Sequence, residues 1–341
     1  MSYYCKFTKT PSYCYLTNPF PLEAGVALDG AILAYEIGGP PGAPVVVVAG
    51  GISSGRHVCS NANDTSPGWW EILAGPGKPI DTNAFRILSI DFLGGAGAST
   101  SAHNSNRYPY YNNGAEFPII TTRDQARAIY ELLDHLSIPR IFTFVGASFG
   151  GAVALSFGEQ FPEKLERLIV ISAPDASAPL ATAWRSIQRR ILQFGRETGF
   201  ERRAVELARS LAMTTYRSGE EFTKRFPARA PGWTDNDCFF EIDDYLQSRG
   251  REFAGRFPID AYYNLSLALD AHFVRPENIT VPAVIVGADS DVLVPISQLR
   301  KLQSRLGGPS VIFEIKSIYG HDAFLKETNA VSAIVRKELA R

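Results

Sequence analysis

The sequence predicts an α/β protein in which a mostly parallel β-sheet is flanked by helices. Short apolar runs of strand length recur along the chain, amphipathic helical patterns lie between them, and one long helical stretch lacks such runs. Strands that are covered on both faces lose the polar alternation of half-exposed strands, so continuous apolar runs indicate a buried parallel sheet. Strands that alternate with helices along the chain favour this fold class over an all-helical or all-β fold.

Six apolar runs are predicted to be buried strands, and they lie at residues 44–49, 85–90, 141–145, 168–171, 283–287 and 311–315. A helical pattern over residues 124–136 has apolar residues spaced by three and four. Between about residues 175 and 274 the sequence is helical and amphipathic, with no buried-strand run. We therefore predict an α/β core made of residues 1–174 and 275–341, with residues 175–274 inserted as a helical cap over the sheet.

The composition is that of an ordinary soluble globular protein. Hydrophobic residues make up 45% and charged residues 20% of the 341 residues, which allows a sizeable core without metal or disulfides. Thirty-four basic residues oppose 35 acidic ones, and the net charge of −1 favours neither nucleic acid nor a membrane surface as a partner. The first residues lack the apolar run of a signal peptide, so we expect a cytoplasmic protein without membrane spans.

The four cysteines indicate neither a metal site nor a disulfide framework. They are Cys5, Cys14, Cys59 and Cys238, and they show no C-x-x-C spacing and no pairing with clustered histidines. A disulfide between Cys5 and Cys14 is conceivable, but reduced thiols are the expectation for a cytosolic enzyme. We predict no bound metal.

A nucleophile motif follows the third apolar run. Residues 146–150 read G-A-S-F-G and lead into a helical pattern, which is the strand–turn–helix context of the α/β-hydrolase nucleophile elbow. The turn is strained and its neighbours approach closely, which favours glycine on both sides of the serine. This pattern predicts Ser148 as a nucleophile at a helix N-terminus and the Phe149 N–H as an oxyanion donor. The alternative is that Ser148 merely caps the helix.

The general base is predicted from the order of residues along the chain. In this fold the acid and then the histidine follow the serine, which leaves His272 and His321 of the five histidines. His272 lies in a helical, cap-like stretch, where a structural role is the simpler interpretation. His321 follows the last predicted strand in a turn that begins with Gly320, as expected of a loop-borne base.

Two aspartates compete for the third position of the triad. Asp289 and Asp291 both follow the predicted strand at 283–287, and Asp291 lies four residues before Pro295, which is the usual spacing in this fold. We prefer Asp291, while the other aspartate turns or caps the loop. The second oxyanion donor is expected in the loop G-G-I-S-S-G at 50–55, with the Ile52 N–H as candidate. Alternatively, those glycines serve only to turn the chain.

Several segments resemble the homoserine O-acyltransferase family, whose members transfer an acetyl or succinyl group from coenzyme A to an amino-acid hydroxyl. The resemblance runs from about residue 20 to about residue 335. Its segments are WW at 69–70, GPGKPIDT at 75–82, DFLGGAGAST at 91–100, FPIITTRD at 117–124, LLDHL at 132–136, LARSLAMTTYRS at 207–218, SDVLVP at 290–295 and YGHDAFL at 319–325. The combination of T-Y-R-S with Y-G-H-D-A-F-L is specific, because general esterases do not carry both.

The resemblance also implies roles for individual residues. It implies Ser148, Asp291 and His321 as the triad. It further implies Arg209, with Tyr216 beside it, as the group that holds the substrate carboxylate, and Asp322 as the group that holds the ammonium. A zwitterionic amino acid needs a cation at one end and an anion at the other, and a guanidinium binds carboxylate in a bidentate fashion. Without the resemblance, the last three would be interpreted as a solvated helix arginine, a core tyrosine and a helix-capping aspartate.

The implied function is transfer of an acyl group to L-homoserine through an acyl-serine, with ping-pong kinetics, as a step in methionine biosynthesis. The resemblance implies acetyl-CoA or succinyl-CoA as co-substrate, no permanently bound cofactor, and a homodimer formed through the cap helices. Residues 146–153 read GASFGGAV where the family has GGSMGGMQ, and residues 51–54 read GISS where it has ALTG. Both departures leave the acyl donor open, and serine or another hydroxyl could replace homoserine.

Two other functions are compatible with the sequence. A carboxylesterase-type hydrolase would use the same triad with water as the acceptor. A non-catalytic binding protein that kept the fold is the third interpretation, and the intact order of serine, aspartate and histidine argues against it.

Overall fold

The computed structural model describes residues 11–107, 117–229, 232–234, 236 and 238–340. Eight strands form one sheet in the order β1-β2-β4-β3-β5-β6-β7-β8. They are β1 Ser12–Tyr15, β2 Ile32–Gly38, β3 Val45–Ala49, β4 Arg86–Ile90, β5 Thr143–Ala147, β6 Leu168–Ile171, β7 Ala283–Ala288 and β8 Ser310–Ile315.

The six predicted strands correspond to β3–β8, which pair in parallel throughout. In the centre, Val47 pairs with Leu88 on one side and with Phe144 on the other. The first two strands pair antiparallel, β1 with β2 and β2 with β4, and were not predicted. The strand β2 contains Glu36, whose side chain is buried beside Arg56 and His57. A charged residue buried by ion pairing interrupts the apolar run on which the prediction depended.

Ten helices lie in the described part of the chain. Five belong to the sheet region: α1 Thr122–His135, α2 Phe149–Gln160, α8 Ile296–Arg305, α9 Ala323–Lys326 and α10 Thr328–Leu339. The other five lie between β6 and β7: α3 Pro179–Thr198, α4 Glu201–Tyr216, α5 Gly219–Arg225, α6 Glu241–Ala254 and α7 Ile259–Asp270. Short 3₁₀ turns cover Ala102–Arg107, Pro162–Lys164, Pro276–Asn278 and Gly320–Asp322.

Both faces of the sheet are buried, as the continuous apolar runs predicted. In β3, Val45 and Val47 belong to one apolar cluster, whereas Val46 and Val48 belong to a second cluster on the opposite face. Successive side chains of a strand point to opposite faces, so both faces need cover. The first cluster includes residues of α1 and α2, and the second includes residues of α10. The predicted α/β class, a mostly parallel sheet flanked by helices, is confirmed.

The helix α1 begins two residues before the predicted 124–136 because Thr121 caps it. The Thr121 Oγ1 accepts a hydrogen bond from the Asp124 N–H at 3.3 Å, and the Asp124 carboxylate accepts one from the Thr121 N–H at 2.9 Å. This reciprocal pair satisfies two amide donors at the start of the helix.

The helices between β6 and β7 form a layer of their own. The helix α3 packs against α4 and α7, and α4 also packs against α6. A Cβ on Gly195 would lie 2.2 Å from the Ala204 Cβ, so α3 and α4 approach closely through small residues. The segment also contains a two-residue antiparallel pair, Gly232–Trp233 with Cys238–Phe239, which is not part of the main sheet. The division of the chain at residues 175 and 274 stays a prediction.

Among the described residues, no helix combines the length and the apolarity that crossing a bilayer requires.

Candidate active site

The serine motif forms a sharp turn between β5 and α2. Ser148 has φ 54° and ψ −117°, a left-handed backbone conformation that is strained for a residue with a side chain. Its N–H donates to the Ile171 carbonyl at 2.8 Å, which ties the turn to the neighbouring strand. A Cβ on Gly146 would lie 2.3 Å from the Gly150 carbonyl oxygen, and one on Gly150 would lie 2.2 Å from that of Ala49. Only glycine fits at these two positions.

Three side chains from three separate loops form one hydrogen-bonded chain. The Ser148 hydroxyl donates to the His321 Nε2 at 2.8 Å, and the His321 Nδ1–H donates to the Asp291 Oδ2 at 2.7 Å. The other oxygen of Asp291 accepts from the Leu293 and Val294 amides at 2.9 and 3.0 Å. The Ser148 side chain makes no hydrogen bond to the helix N-terminus, so it does not cap α2. The arrangement suits a serine nucleophile with an oriented base.

The alternative aspartate and the alternative histidine are engaged elsewhere. Asp289 is exposed and accepts from the Ser317 amide at 3.0 Å, which fits its predicted role in turning the loop. His272 is buried, donates through Nε2 to the Pro174 carbonyl at 3.0 Å and accepts from the Thr122 hydroxyl at 2.8 Å. Burial lowers the pKa of His272 to about 4, so its imidazole is neutral at physiological pH.

The pKa of His321 lies above its ordinary value. Burial alone would lower this pKa, because it disfavours the charged ring, but the carboxylates of Asp291 and Asp322 favour the imidazolium by more. The hydrogen bond from Nδ1 to Asp291 acts in the same direction. His321 is therefore well suited to take a proton from Ser148 and to hold it as a cation.

Two backbone amides at the site, those of Ile52 and Phe149, have no acceptor among the residues that the structure describes. The Gly150 N–H donates to the Gly50 carbonyl at 2.7 Å, which fastens the 50–55 loop to the serine turn. The Trp69 Nε1–H donates to the Gly55 carbonyl at 3.0 Å and holds the far end of that loop. Two unsatisfied donors beside a nucleophile suit a developing oxyanion.

A cavity of about 230 Å³, here called the serine cavity, opens beside Ser148 and His321. Its lining comes from the 50–55 loop, from Trp69, from the helices between β6 and β7, and from the histidine turn. The three residues that the family resemblance assigned to substrate, Arg209, Tyr216 and Asp322, all lie in this lining. Ile52 lies in the same lining, while Asp291 is joined to the site through its hydrogen bond to His321 and Phe149 directly follows Ser148 in the chain.

Arg209 is half-buried and stands between two aromatic rings. Its guanidinium carbon lies 4.9 Å from the centroid of the Tyr216 ring and 4.5 Å from that of Phe253. In the described part of the chain, no carboxylate lies within ion-pair distance of this guanidinium. Stacking fixes the plane of the group and leaves its N–H donors for an anion in the cavity.

Asp322 already has one cationic partner, Arg217. The Arg217 Nε lies 3.0 Å from the Asp322 Oδ2, and its Nη1 lies 3.0 Å from a Glu221 oxygen. Burial raises the pKa of Asp322, and Arg217 and His321 only partly oppose that effect. Sequence reasoning missed Arg217 as a site residue, although it belongs to the T-Y-R-S segment. No local sequence pattern shows that Arg217 contacts Asp322.

The two specific segments of the sequence contact each other directly. Gly320 has φ 59°, and a Cβ there would lie 3.0 Å from the backbone carbonyl oxygen of Tyr216 and 3.0 Å from the carbonyl carbon of Arg217. The Ser218 hydroxyl donates to the Ile318 carbonyl. The histidine turn therefore rests on the end of α4, which also carries Arg209.

Cys14, Cys59 and Cys238 form no disulfide within the described residues, and Cys5 lies outside them. No cluster of potential metal ligands occurs in the described ranges.

The chain matches a family model described as the alpha/beta hydrolase fold over residues 44–328. It is 38% identical to the homoserine O-succinyltransferase of Xanthomonas campestris pv. campestris, covering 90% of this chain and 78% of that protein. It is 30% identical to the homoserine O-acetyltransferase of Thermobifida fusca, covering 96% and 93%. It is 31% identical to the serine O-succinyltransferase of Litchfieldella anticariensis, covering 95% and 97%.

Solved structures show the same fold. The homoserine O-acetyltransferase from Bacillus anthracis superposes with a TM-score of 0.87 at 19% identity, covering 100% of this chain and 99% of that one. Esterase E22 superposes with a TM-score of 0.85 at 19% identity, covering 98% and 100%. These levels of identity show likeness of fold only.

Proposed function

The chain belongs to the homoserine O-acyltransferase family of α/β-hydrolase-fold proteins, and we propose that it transfers an acyl group from acyl-CoA to the hydroxyl of L-homoserine. One observation carries the proposal. The hydrogen-bonded chain of Ser148, His321 and Asp291 opens into the same cavity as Arg209 and Asp322. That cavity combines an activated nucleophile with one cation and one anion for a zwitterionic acceptor.

In the first half-reaction, His321 takes the proton of the Ser148 hydroxyl as the serine oxygen attacks the thioester carbonyl. The carbonyl oxygen becomes an oxyanion, which the amides of Ile52 and Phe149 stabilise. When the tetrahedral intermediate collapses, the carbon–sulfur bond breaks and the imidazolium protonates the departing thiolate. The products are an acyl ester on Ser148 and free coenzyme A.

In the second half-reaction, the acceptor hydroxyl attacks the ester carbonyl while His321 takes its proton. Arg209 holds the α-carboxylate of homoserine, and Asp322 accepts from its ammonium. The bond between the acyl carbon and the Ser148 oxygen breaks, and His321 returns the proton to the serine. The product is an O-acyl-homoserine, so the donor is a co-substrate and no resident cofactor takes part.

Transfer requires that the acceptor outcompete water for the acyl-serine. A well-oriented intramolecular nucleophile reaches effective molarities of about 10⁵ M or more, which is ample against bulk water. Arg209 and Asp322 supply the orientation, and the helices between β6 and β7 supply much of the cover over Ser148.

The test combines trapping of the intermediate with steady-state kinetics. Mass spectrometry after mixing with acetyl-CoA or succinyl-CoA alone should show a single acyl adduct on Ser148, and Ser148→Ala should abolish it. Double-reciprocal plots against homoserine at several donor concentrations should be parallel, with thiol release rising steeply when homoserine is added. Intersecting lines, or thiol release that is indifferent to every hydroxy amino acid, would favour a hydrolase instead.

Serine is the second candidate acceptor, because a relative at 31% identity is named a serine O-succinyltransferase. Serine carries the same carboxylate and ammonium as homoserine, and its side chain is one methylene shorter. A thiol-release assay that crosses both donors with both acceptors separates these possibilities by their kcat/KM values.

The setting of the reaction is also part of the proposal. We propose a cytoplasmic homodimer that pairs through the cap helices, and exposed apolar residues on α3 and α4 support it: Ile187, Phe194 and Leu207. Light scattering of the unchanged protein and of Phe194→Asp tests the proposed dimer. We expect the unchanged protein to be a dimer and the variant a monomer, and a monomer in both samples would contradict the proposal.

A further inference from the structure

A second cavity adjoins the serine cavity. This adjoining cavity has a volume of about 160 Å³ and shares Ile52, Ser53, Ser54 and Arg256 with the serine cavity. The rest of its wall comes mainly from the glycine-rich loop that follows β4. The 50–55 loop, which carries the candidate oxyanion donor Ile52, thus lies between the two cavities, and Arg256 lines both of them.

The position of Arg256 is fixed by its backbone. It lies just after α6, where its N–H and that of Phe257 both donate to the Phe253 carbonyl, at 3.1 and 3.0 Å. The rings of Phe253 and Phe257 are buried and stack at 4.5 Å between centroids. The Arg256 side chain itself is exposed, so a firmly anchored turn presents a free side chain to both cavities.

Within the described ranges, the charged groups around the two cavities leave Arg256 without an ion-pair partner. Arg185 also lines the serine cavity, but its Nε lies 2.7 Å from an Asp270 oxygen. Asp91 lines the adjoining cavity, yet it pairs with Arg56 and accepts from the Arg56 and Ala98 amides at 2.9 and 2.8 Å. Among the residues that the structure describes, no carboxylate lies within ion-pair distance of Arg256.

Each of the two proposed substrates, the amino-acid acceptor and the acyl donor, carries an anionic group that a cation in the serine cavity could bind. The serine cavity holds two guanidinium groups without a carboxylate partner among the described residues, those of Arg209 and Arg256. Under the proposed function, Arg209 takes the carboxylate of the acceptor. The acyl donor is also an anion, and its charged group needs a cation of its own.

We propose that Arg256 binds an anionic group of the acyl donor, whose chain passes through the adjoining cavity; this inference rests on the proposed function. A guanidinium presents its donors in a planar fork that fits phosphate and carboxylate oxygens. Two parts of a coenzyme A thioester carry such oxygens, the phosphates of the coenzyme and the free carboxylate of a dicarboxylic acyl group. Arg256 is therefore a donor-binding residue.

Arg256→Gln tests the proposal, with Arg251→Gln as its matched control. Arg251 is an exposed arginine in the last turn of α6, five residues before Arg256; it lines neither cavity and has no ion pair among the described residues. The donor kcat/KM is measured from thiol release with acetyl-CoA, succinyl-CoA and acetyl-pantetheine, which carries the thioester but no phosphate. In a ping-pong scheme this quantity reports the acylation half-reaction alone.

We expect Arg256→Gln to lower the donor kcat/KM about ten-fold with a charged donor, as for loss of one exposed hydrogen bond to a charged group. The value with acetyl-pantetheine and the kcat/KM for homoserine should not change. An equal loss with acetyl-CoA and succinyl-CoA identifies the phosphates as the bound group, and a loss confined to succinyl-CoA identifies the carboxylate.

Three results would overturn the inference: no loss with either coenzyme A thioester, an equal loss with acetyl-pantetheine, or an equal loss in Arg251→Gln. The unaltered rate with acetyl-pantetheine doubles as the control for correct folding. If the unchanged protein releases no thiol from any donor with homoserine present, the proposed function itself fails. An active unchanged protein with an unaffected Arg256→Gln variant refutes only the role of Arg256.

Discussion

Among the described residues, each ring nitrogen of His321 has one hydrogen-bond partner, and these partners decide which nitrogen carries the proton of the neutral ring. Asp291 already accepts two backbone amides through one oxygen, so its other oxygen is the acceptor for the His321 Nδ1–H. The lone pair on Nε2 therefore faces the Ser148 hydroxyl. An imidazole held in this tautomer is ready to accept the serine proton.

We expect Asp291→Asn to lower kcat by on the order of 10³- to 10⁴-fold, because an amide can donate to Nδ1 and so favour the wrong tautomer. Asp289→Asn is the matched control, since in the described part of the chain that carboxylate accepts from the Ser317 amide alone. Its turnover should stay close to that of the unchanged protein. Steady-state kinetics of both variants measure this, and the reverse pattern would show that Asp289 is the acid.

Arg209→Lys should weaken use of the acceptor without affecting acylation. A lysine keeps the charge but loses the planar fork and its stacking between Tyr216 and Phe253. We expect kcat/KM for homoserine to fall about 10- to 100-fold, as for loss of a hydrogen bond to a charged group. The pre-steady-state burst of acyl-enzyme should keep its rate. A burst slowed as much as turnover would contradict a role confined to the acceptor.

The pH profile of the enzyme should report the raised pKa of His321. The base must be neutral to accept a proton, so activity is lost as pH falls through the pKa of His321 in the folded protein. Because the carboxylates of Asp291 and Asp322 raise this pKa, the acid limb of kcat/KM should have its midpoint above the ordinary 6.5. Asp322→Asn removes one of these charges and should move the remaining limb to lower pH. An acid limb centred well below 6.5 would contradict this prediction.

At the scale of elements, the site depends on where the parallel strands end. Ser148, Asp291 and His321 follow β5, β7 and β8, and the carboxyl ends of parallel strands meet at one edge of the sheet. The candidate oxyanion loop follows β3 at the same edge. The end of α4 then contacts the histidine turn through Gly320, so the helical layer and the triad share one junction.

Gly150→Ala tests the close approach between the serine turn and the loop after β3. The new Cβ would lie 2.2 Å from the Ala49 oxygen, so backbone must move. We expect a loss of about 1–3 kcal/mol in the free energy of unfolding, the usual cost of overpacking. Activity should also fall, because the Gly150 amide holds the oxyanion loop.

Gly219→Ala is the control for that variant, since a Cβ there meets nothing within 4 Å. Urea denaturation should show little change for it. Equal stabilities of the two variants would mean that the serine turn accommodates a side chain.

At the scale of the whole molecule, His272 connects the layer of helices to the sheet region. It lies just after α7, donates to the Pro174 carbonyl after β6, and accepts from Thr122 at the start of α1. The Thr122 hydroxyl oxygen in turn accepts from the Ser156 hydroxyl on α2. Protonation of His272 would remove the acceptor that Thr122 requires.

The pKa of His272 makes stability depend on pH in a defined window. Its pKa is about 4 in the folded protein against an ordinary 6.5, so the neutral form stabilises the fold above pH 6.5. That contribution is lost as pH falls from 6.5 towards 4, by about 1.4 kcal/mol per pH unit. The pKa of His321 is raised in the folded protein, so its own stabilising contribution is largely complete below pH 6.5 and is lost at higher pH, outside this window.

His272→Asn should therefore flatten the dependence of unfolding free energy on pH between 6.5 and 4, by about one proton. The variant is expected to be less stable at pH 7, since the Thr122 and Pro174 contacts are disturbed. Urea denaturation at several pH values measures the slope. An unchanged slope would show that other groups govern acid stability.

The strands β3–β8 could be predicted from the amino-acid sequence because their pattern is local: a strand buried on both faces is apolar at nearly every position. The sequence also predicted Ser148 and His321 as site residues, since the strained turn requires its glycines locally and the order of the triad along the chain is a property of the fold. The chain alone could not find β2, because the charge of Glu36 is buried only with the help of Arg56 and His57. Likewise, the contact between Arg217 and Asp322 and the position of Arg256 beside two cavities become visible only in the folded chain. Those relations depend on distances between segments that are far apart along the chain, and no local pattern records them.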